Sequence, residues 1–89
     1  MSEDEIVSTA RRYIEDNFLY MKPGVRLDLD DSLLRKGVVD SMGVLEVLLF
    51  LEDTFDVRVS DNEVTEHNLG SLRSIGRFIL SKRVGSAAA

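Results

Sequence analysis

The chain has 89 residues, 44% of them hydrophobic and 30% charged, with a formal net charge of −5, which suits one domain with a real but thin core. It holds no cysteine and no Trp, which excludes disulfides, thiolate catalysis and Cys-ligated metals, and its charge balance argues against DNA or RNA, whose phosphates need clustered Lys and Arg. No stretch approaches the ~20 apolar residues of a membrane span, the acidic start Ser2-Glu3-Asp4-Glu5 does not read as a signal peptide, and a cytoplasmic setting is the simple expectation.

The patterning predicts an all-α fold of four helical segments with no strand. Ser2, followed three residues later by Glu5, is a capping box in which side chains satisfy free backbone N–H groups. Ile6, Ala10, Tyr13, Ile14 and Phe18 then recur at helical spacing, so the first helix should run to about Phe18. A long connection follows from Leu19 to Val39. Lys22-Pro23-Gly24 breaks any helix there, and Val25, Leu27, Leu29, Leu33 and Leu34 can pack back onto the bundle. A short helical turn fits Ser32 to Lys36, ended by Gly37. A connection of this length in a small domain carries function or wraps the core.

The second helix should span Ser41 to Phe55, with Leu45, Leu48, Leu51 and Phe55 as its inward stripe. That stripe leaves Val44, Leu49 and Phe50 unused, and a helix apolar on more than one side is either deeply buried or has a second partner. Ser60 and Glu63 form another capping box and signal a short third helix ending near Asn68 or Gly70. The fourth should start near Ser74, carry Ile75, Phe78, Ile79 and Leu80, and finish around Arg83, with Lys82 and Arg83 at its negative end. One domain is thus expected over residues 1–84, with 85–89 a disordered tail or a cloning remnant.

The segment Gly37-Val38-Val39-Asp40-Ser41-Met42 places a serine at the start of the most apolar helix. Free N–H groups and the helix dipole concentrate positive potential there, which favours an anion attached to that serine. Asp40 can cap the helix through its carboxylate, or help hold a metal ion during phosphoryl-type transfer onto Ser41. A plain cap explains Asp40 and Ser41 but not the surplus apolar residues beside them. Nor does it explain the charge: Gly37 to Val57 holds no Lys or Arg, yet contains Asp40, Glu46, Glu52, Asp53 and Asp56. With Asp28, Asp30 and Asp31 nearby in sequence, one side of the molecule should be strongly negative. Leu49 and Phe50 set among Glu46, Glu52 and Asp53 make an apolar anchor ringed by charge, which suits transient recognition of basic partners.

The stretch from Asp31 to Met42, the run from Leu45 through Glu52-Asp53-Thr54-Phe55, and Leu72-Arg73-Ser74-Ile75-Gly76 together resemble the acyl and peptidyl carrier protein family over roughly Glu3 to Lys82. The resemblance implies an acyl-carrier-like four-helix bundle of up-down type, with a long first loop and a short third helix, that is a carrier and not an enzyme. It implies that Ser41 receives 4'-phosphopantetheine from coenzyme A through a phosphopantetheinyl transferase, and that the arm's thiol carries acyl or aminoacyl groups as thioesters. Asp40 matches the acidic residue involved with the transferase's magnesium, and Met42 a Leu or Met position beside the arm. Glu46, Leu49, Glu52 and Asp53 match the partner-binding helix, to which the apolar character adds Phe50. The implied partners are that transferase, an acyl-activating ligase and downstream acyltransferases or synthases of fatty-acid, polyketide, lipid or amino-acid chemistry, meeting a monomer. Gly43 stands where many fatty-acid carriers have another acid, and two residues separate Gly37 from Asp40 where many members have one. That spacing and the run Asp40-Ser41-Met42-Gly43 are more similar to discrete carriers such as the D-alanyl carrier proteins, although their Trp-x-Thr-Pro stretch is missing.

Two rival readings use the same residues. One is an unmodified helical docking domain that recognises basic partners through the acidic apolar helix alone. The other is a small hydrolase with Ser41 as nucleophile, which lacks a placed His or Lys. His67 is the only histidine and reads as a surface or packing residue. Met21 and Met42 read as packing residues, not ligands, Arg11 and Arg12 as solvent-exposed, and Tyr13 and Tyr20 as core or rim. No His or Cys cluster suggests a transition metal.

Overall fold

The computed structural model describes residues 2–22 and 24–88, with side chains as far as Arg83. Four α-helices appear, α1 (Glu3–Ile14), α2 (Ser41–Phe55), α3 (Glu66–Leu69) and α4 (Leu72–Ala88), and no strand is found among the described residues. The all-α bundle with a long first connection and a short third helix is therefore what the periodicity predicts.

Helix α1 begins as expected, with Ser2 Oγ accepting the Glu5 N–H at 3.2 Å. Its apolar residues Ile6, Ala10 and Ile14 are buried. Past Ile14 the chain widens into a π-helical segment, Glu15–Leu19, which carries Phe18 to the rim of the bundle and buries Leu19. Pro23 lies outside the described residues.

The long connection wraps the core with Leu27, Leu33, Val38 and Val39, all buried. Val25 and Leu34, expected to join them, are exposed. The turn at 33–37 closes through Val38 N–H to the Leu33 carbonyl (2.9 Å) and Gly37 N–H to the Leu34 carbonyl (3.1 Å). That pairing needs a left-handed residue, which Gly37 supplies at φ 74°. Leu33 N–H also donates to the Gly70 carbonyl (2.8 Å) and Arg73 N–H to the Leu29 carbonyl (3.0 Å), so the connection is fastened to the α3–α4 corner.

The inward stripe of α2 is rotated from the expected one. Val47, Leu48, Leu51 and Phe55 are buried, whereas Leu45 is 47% exposed. The segment from Ser60 is two pieces rather than one helix. A 3₁₀ turn, Asp61–Glu63, closes the Ser60/Glu63 capping box, and Thr65 then caps a separate α3. Helix α4 starts before Ser74 because Ser71 is its cap, accepting the Ser74 N–H at 3.1 Å. It extends past Arg83 to Ala88, so Lys82 and Arg83 lie within it rather than at its negative end. Lys82 pairs with Glu63 at 2.8 Å, and Arg83 donates to the Phe55 carbonyl, placing a cation at the negative end of α2 instead. The side chains of the expected 85–89 tail, and Ala89 as a whole, lie outside the described residues.

Ile6, Ile14, Leu33, Leu51, Phe55, Leu72, Ile75 and Ile79 are almost wholly removed from water, each contributing about 1.5–3 kcal/mol of transfer free energy as an upper bound. α4 packs chiefly on α1 and α3. The bundle thereby holds the first turn of α2 at its surface.

Candidate functional site

Asp40 is the N-cap of α2. Its backbone is extended (φ −101°, ψ −173°) and its Oδ1 accepts the Gly43 N–H at 2.7 Å. Val38 and Val39, buried just before it, pin the cap to the core. The sequence signal that could have marked Val39 is its place at N′ of the helix, with the apolar Val44 at N4, the spacing of a hydrophobic staple. Ser41 is the first helical residue and is exposed. Among the described residues, the N–H groups of Ser41 and Met42 have no acceptor, as the first turn of a helix leaves them. The hydroxyl of Ser41 thus stands in water at the positive end of a 15-residue helix.

Gly43 is buried, and a Cβ there would stand 3.0 Å from Val39 Cβ and 3.1 Å from the Phe18 ring. A larger residue here would require the Phe18 ring and Val39 to give way by a few tenths of an ångström, because the end of the first helix closes directly onto the first turn of α2.

Ser41 opens onto a concavity of about 660 Å³ whose lining includes Phe18, Lys22, Gly37, Asp40, Met42 and Glu46. Lys22 is a residue that sequence reasoning missed. It sits 19 positions before Ser41 in the chain, and only the path of the connection brings it to the same hollow. Its Nζ donates to the Gly37 carbonyl at 3.4 Å.

Down α2, one exposed face carries Met42 (68%), Leu45 and Leu49 (65%), with Glu46 and Asp53 exposed beside them. The other expected partner-face residues lie off this strip. Phe50 is half-buried and stacks on Tyr13 (4.0 Å between centroids, 17° between planes). Glu52 accepts the Val59 N–H at 2.9 Å, which ties the chain beyond α2 back to the helix. Asp28, Asp30 and Asp31 do not extend the negative face uncompensated, because Arg26 (3.8 Å), Arg73 (2.6 Å) and Lys36 (2.7 Å) pair with them. The Lys36 ammonium, followed by the Asp28 N–H, holds the Asp31 carboxyl below its ordinary range.

Several single-residue expectations change. Met21 and Met42 do not pack, since both are exposed. Arg11 is not free in solvent, because its Nη1 donates to the Leu27 carbonyl at 2.6 Å and clamps the connection to α1. Tyr13 is half-buried and Tyr20 exposed. His67 is exposed on α3, and no bond from it to Ser41 is present among the described residues. No cluster of three or more metal-ligating side chains occurs among the described residues, and no described helix is long and apolar enough to cross a membrane.

The chain is 30% identical to a D-alanyl carrier protein of Abiotrophia defectiva over 84 residues, which cover 94% of this chain and 98% of that protein. It belongs to the acyl carrier protein family. Shorter likenesses, 46% identical over 35 residues, link it to D-alanyl carrier proteins of Streptococcus sanguinis (strain SK36) and Streptococcus gordonii, covering 39% of this chain and 44% of each of those proteins. No protein-family model matches the chain. Acyl carrier proteins hold cargo for enzymes and are not enzymes themselves, so the hydrolase reading of Ser41 falls, and carriage is the function of this family member.

Proposed function

We propose that this carrier holds an aminoacyl or acyl group as a thioester on a 4'-phosphopantetheine arm attached to Oγ of Ser41. The observation that carries the reading is the exposed Ser41 hydroxyl at the capped N-terminus of α2. The residues fit the group: Ser41 is exposed, and the dipole and free N–H groups of the helix start favour a phosphodiester there. When bound, the arm supplies a thiol that forms and exchanges thioesters. Attachment would form a P–O bond to Ser41 Oγ as the pyrophosphate bond of coenzyme A breaks, with adenosine 3',5'-bisphosphate as the leaving group and the hydroxyl proton released. Asp40 has two parts in this reading, capping the helix and presenting a carboxylate beside Ser41 to the magnesium of the transferase. Met42 lies beside the arm.

The rest of the function is tethered delivery. A flexible covalent link turns each transfer into a near-intramolecular encounter at about millimolar effective concentration, so partner contacts can remain weak and exchange quickly. Glu46, Leu49 and Asp53 meet the partners, which are a phosphopantetheinyl transferase, an acyl-activating ligase and downstream acyltransferases or synthases. Phe50 and Glu52 support that face from behind. The carrier unit is residues 1–84, acting as a monomer in the cytoplasm. Among fatty-acyl, polyketide and aminoacyl cargo, the names of the relatives favour an aminoacyl group such as D-alanine.

Intact-mass measurement after incubation with coenzyme A, magnesium and a transferase tests the reading. The wild-type chain gains the mass of the arm, and Ser41→Ala gains nothing. Absence of modification with several transferases would favour an unmodified docking domain that works through the exposed α2 face alone.

A further inference from the structure

We propose that Lys22 is the counter-ion for the phosphodiester on Ser41 and thereby sets the side of the molecule from which the arm departs. The inference rests on the carrier reading of Ser41. It starts from the charges around the hollow into which Ser41 opens. Its titratable lining residues are Asp40, Glu46 and Lys22, so two carboxylates face one ammonium. From Gly37 to Val57 the sequence itself contains no Lys or Arg. A phosphodiester at Ser41 adds another negative charge to this acidic hollow, and Lys22 is the side chain placed to offset it.

The state of Lys22 fits that task. Lys36, Arg73 and Lys82 are committed to carboxylates, and Arg11 and Arg83 to backbone carbonyls. Lys22 makes no ion pair among the described residues, and its one polar contact there is the long bond to the Gly37 carbonyl; Arg12, Arg35, Arg58 and Arg77 also make none there, but none of them lines the hollow. An ammonium has three donors, and a contact at 3.4 Å is at the weak limit for a hydrogen bond. The stem is therefore steered to the rim of the hollow while most of the donor capacity stays open. Lys22 follows the π-helical end of the first helix and reaches the turn that precedes α2. An arm drawn to it leaves toward the first connection rather than along the exposed α2 face, which keeps Leu45, Leu49 and Asp53 open to partners. Because Lys22 is exposed, the attraction is screened as salt rises.

The test uses modified wild-type protein, Lys22→Gln and Lys22→Arg, each confirmed by intact mass, with amide spectra of the unmodified forms as the folding control. The readouts are the ³¹P chemical shift of the phosphodiester between about 20 mM and about 500 mM salt, and the side-chain nitrogen signal of Lys22 before and after modification. In wild type, the Lys22 signal moves on modification and the ³¹P shift depends on salt. Lys22→Gln loses most of that dependence, and Lys22→Arg keeps it. Identical ³¹P shifts and salt profiles in wild type and Lys22→Gln would overturn the proposal while leaving the carrier reading intact. A wild-type chain that takes up no arm removes both.

Discussion

At the residue scale the site turns on Asp40, where one carboxylate serves the fold and, in the proposed chemistry, the transfer. The two parts separate by substitution. Asp40→Ala removes the oxygen that accepts the Gly43 N–H and should destabilise the unmodified protein by about 1 kcal/mol, the usual worth of such a cap. Asp40→Asn keeps a side-chain oxygen in place and should unfold in urea within about 0.5 kcal/mol of wild type, since Asn caps as well as Asp. Both variants should slow modification of Ser41, followed by intact mass, because neither offers a carboxylate to the metal of the transferase. If Asp40→Asn is modified at the wild-type rate, Asp40 is a cap and nothing more. Asp40 and Ser41 are readable in sequence because capping is local chemistry over three or four residues. Lys22, Arg11 and Glu52 are not, since their partners are the Gly37, Leu27 and Val59 backbones, reached only when the connections fold back.

At the element scale the bundle depends on how closely α1 and α4 approach. They cross at Gly76, where a Cβ would lie 2.6 Å from Val7 Cγ2 and 3.0 Å from Glu3 Cγ. Glycine inside a helix costs roughly 1 kcal/mol of helix propensity relative to Ala, and the close crossing offsets that cost by burying the flanking Ile75 and Ile79. Gly76→Val should force the helices apart and destabilise by about 1–3 kcal/mol, the range for overpacking a filled core, as measured by chemical denaturation. An unchanged midpoint would mean that α4 can slide on α1 freely, in conflict with so close a crossing. Element boundaries followed the local signals where a cap was unambiguous, as at Ser2 and Asp40. They departed where two serines competed, since both Ser71 and Ser74 precede apolar residues, and only burial of Leu72 inside the bundle selects Ser71.

At the scale of the whole molecule, one ion pair joins the 3₁₀ turn to α4 and should give the fold a defined acid response. The Glu63 carboxyl is held down from its ordinary 4.5 to about 2, first by the Lys82 ammonium and then by the Ser60 backbone N–H. A carboxyl lowered by folding stabilises the native state above its unfolded value, and that contribution is lost as pH falls from 4.5 to about 2. Glu63→Gln should therefore melt below wild type at neutral pH, with the gap closing across that window and vanishing beneath it. A gap in Tm that stays constant down to the acid limit would show that the Glu63 charge is not what holds the turn. The acids of α2, by contrast, make no ion pair among the described residues, whereas Asp28, Asp30, Asp31 and Glu63 each have a cation beside them.

The amino-acid sequence by itself determined that this chain is helical, where α1 and α2 begin, and that Ser41 stands at a helix start among acids, because periodicity, capping and net charge act between residues a few positions apart. It also carried the family, through the Asp40-Ser41-Met42 run and the acidic, Leu-rich helix after it. Only the tertiary structure decided which face of α2 turns inward. A helix apolar on several sides has no unique buried stripe of its own, and contact with the other helices selected Val47 over Leu45. The same holds for the hollow at Ser41. Phe18, Lys22, Gly37 and Glu46 meet there because the connection between α1 and α2 is pinned by Leu27, Leu33, Val38 and Val39, and contacts that distant in sequence are set by packing of the whole core rather than by any local rule.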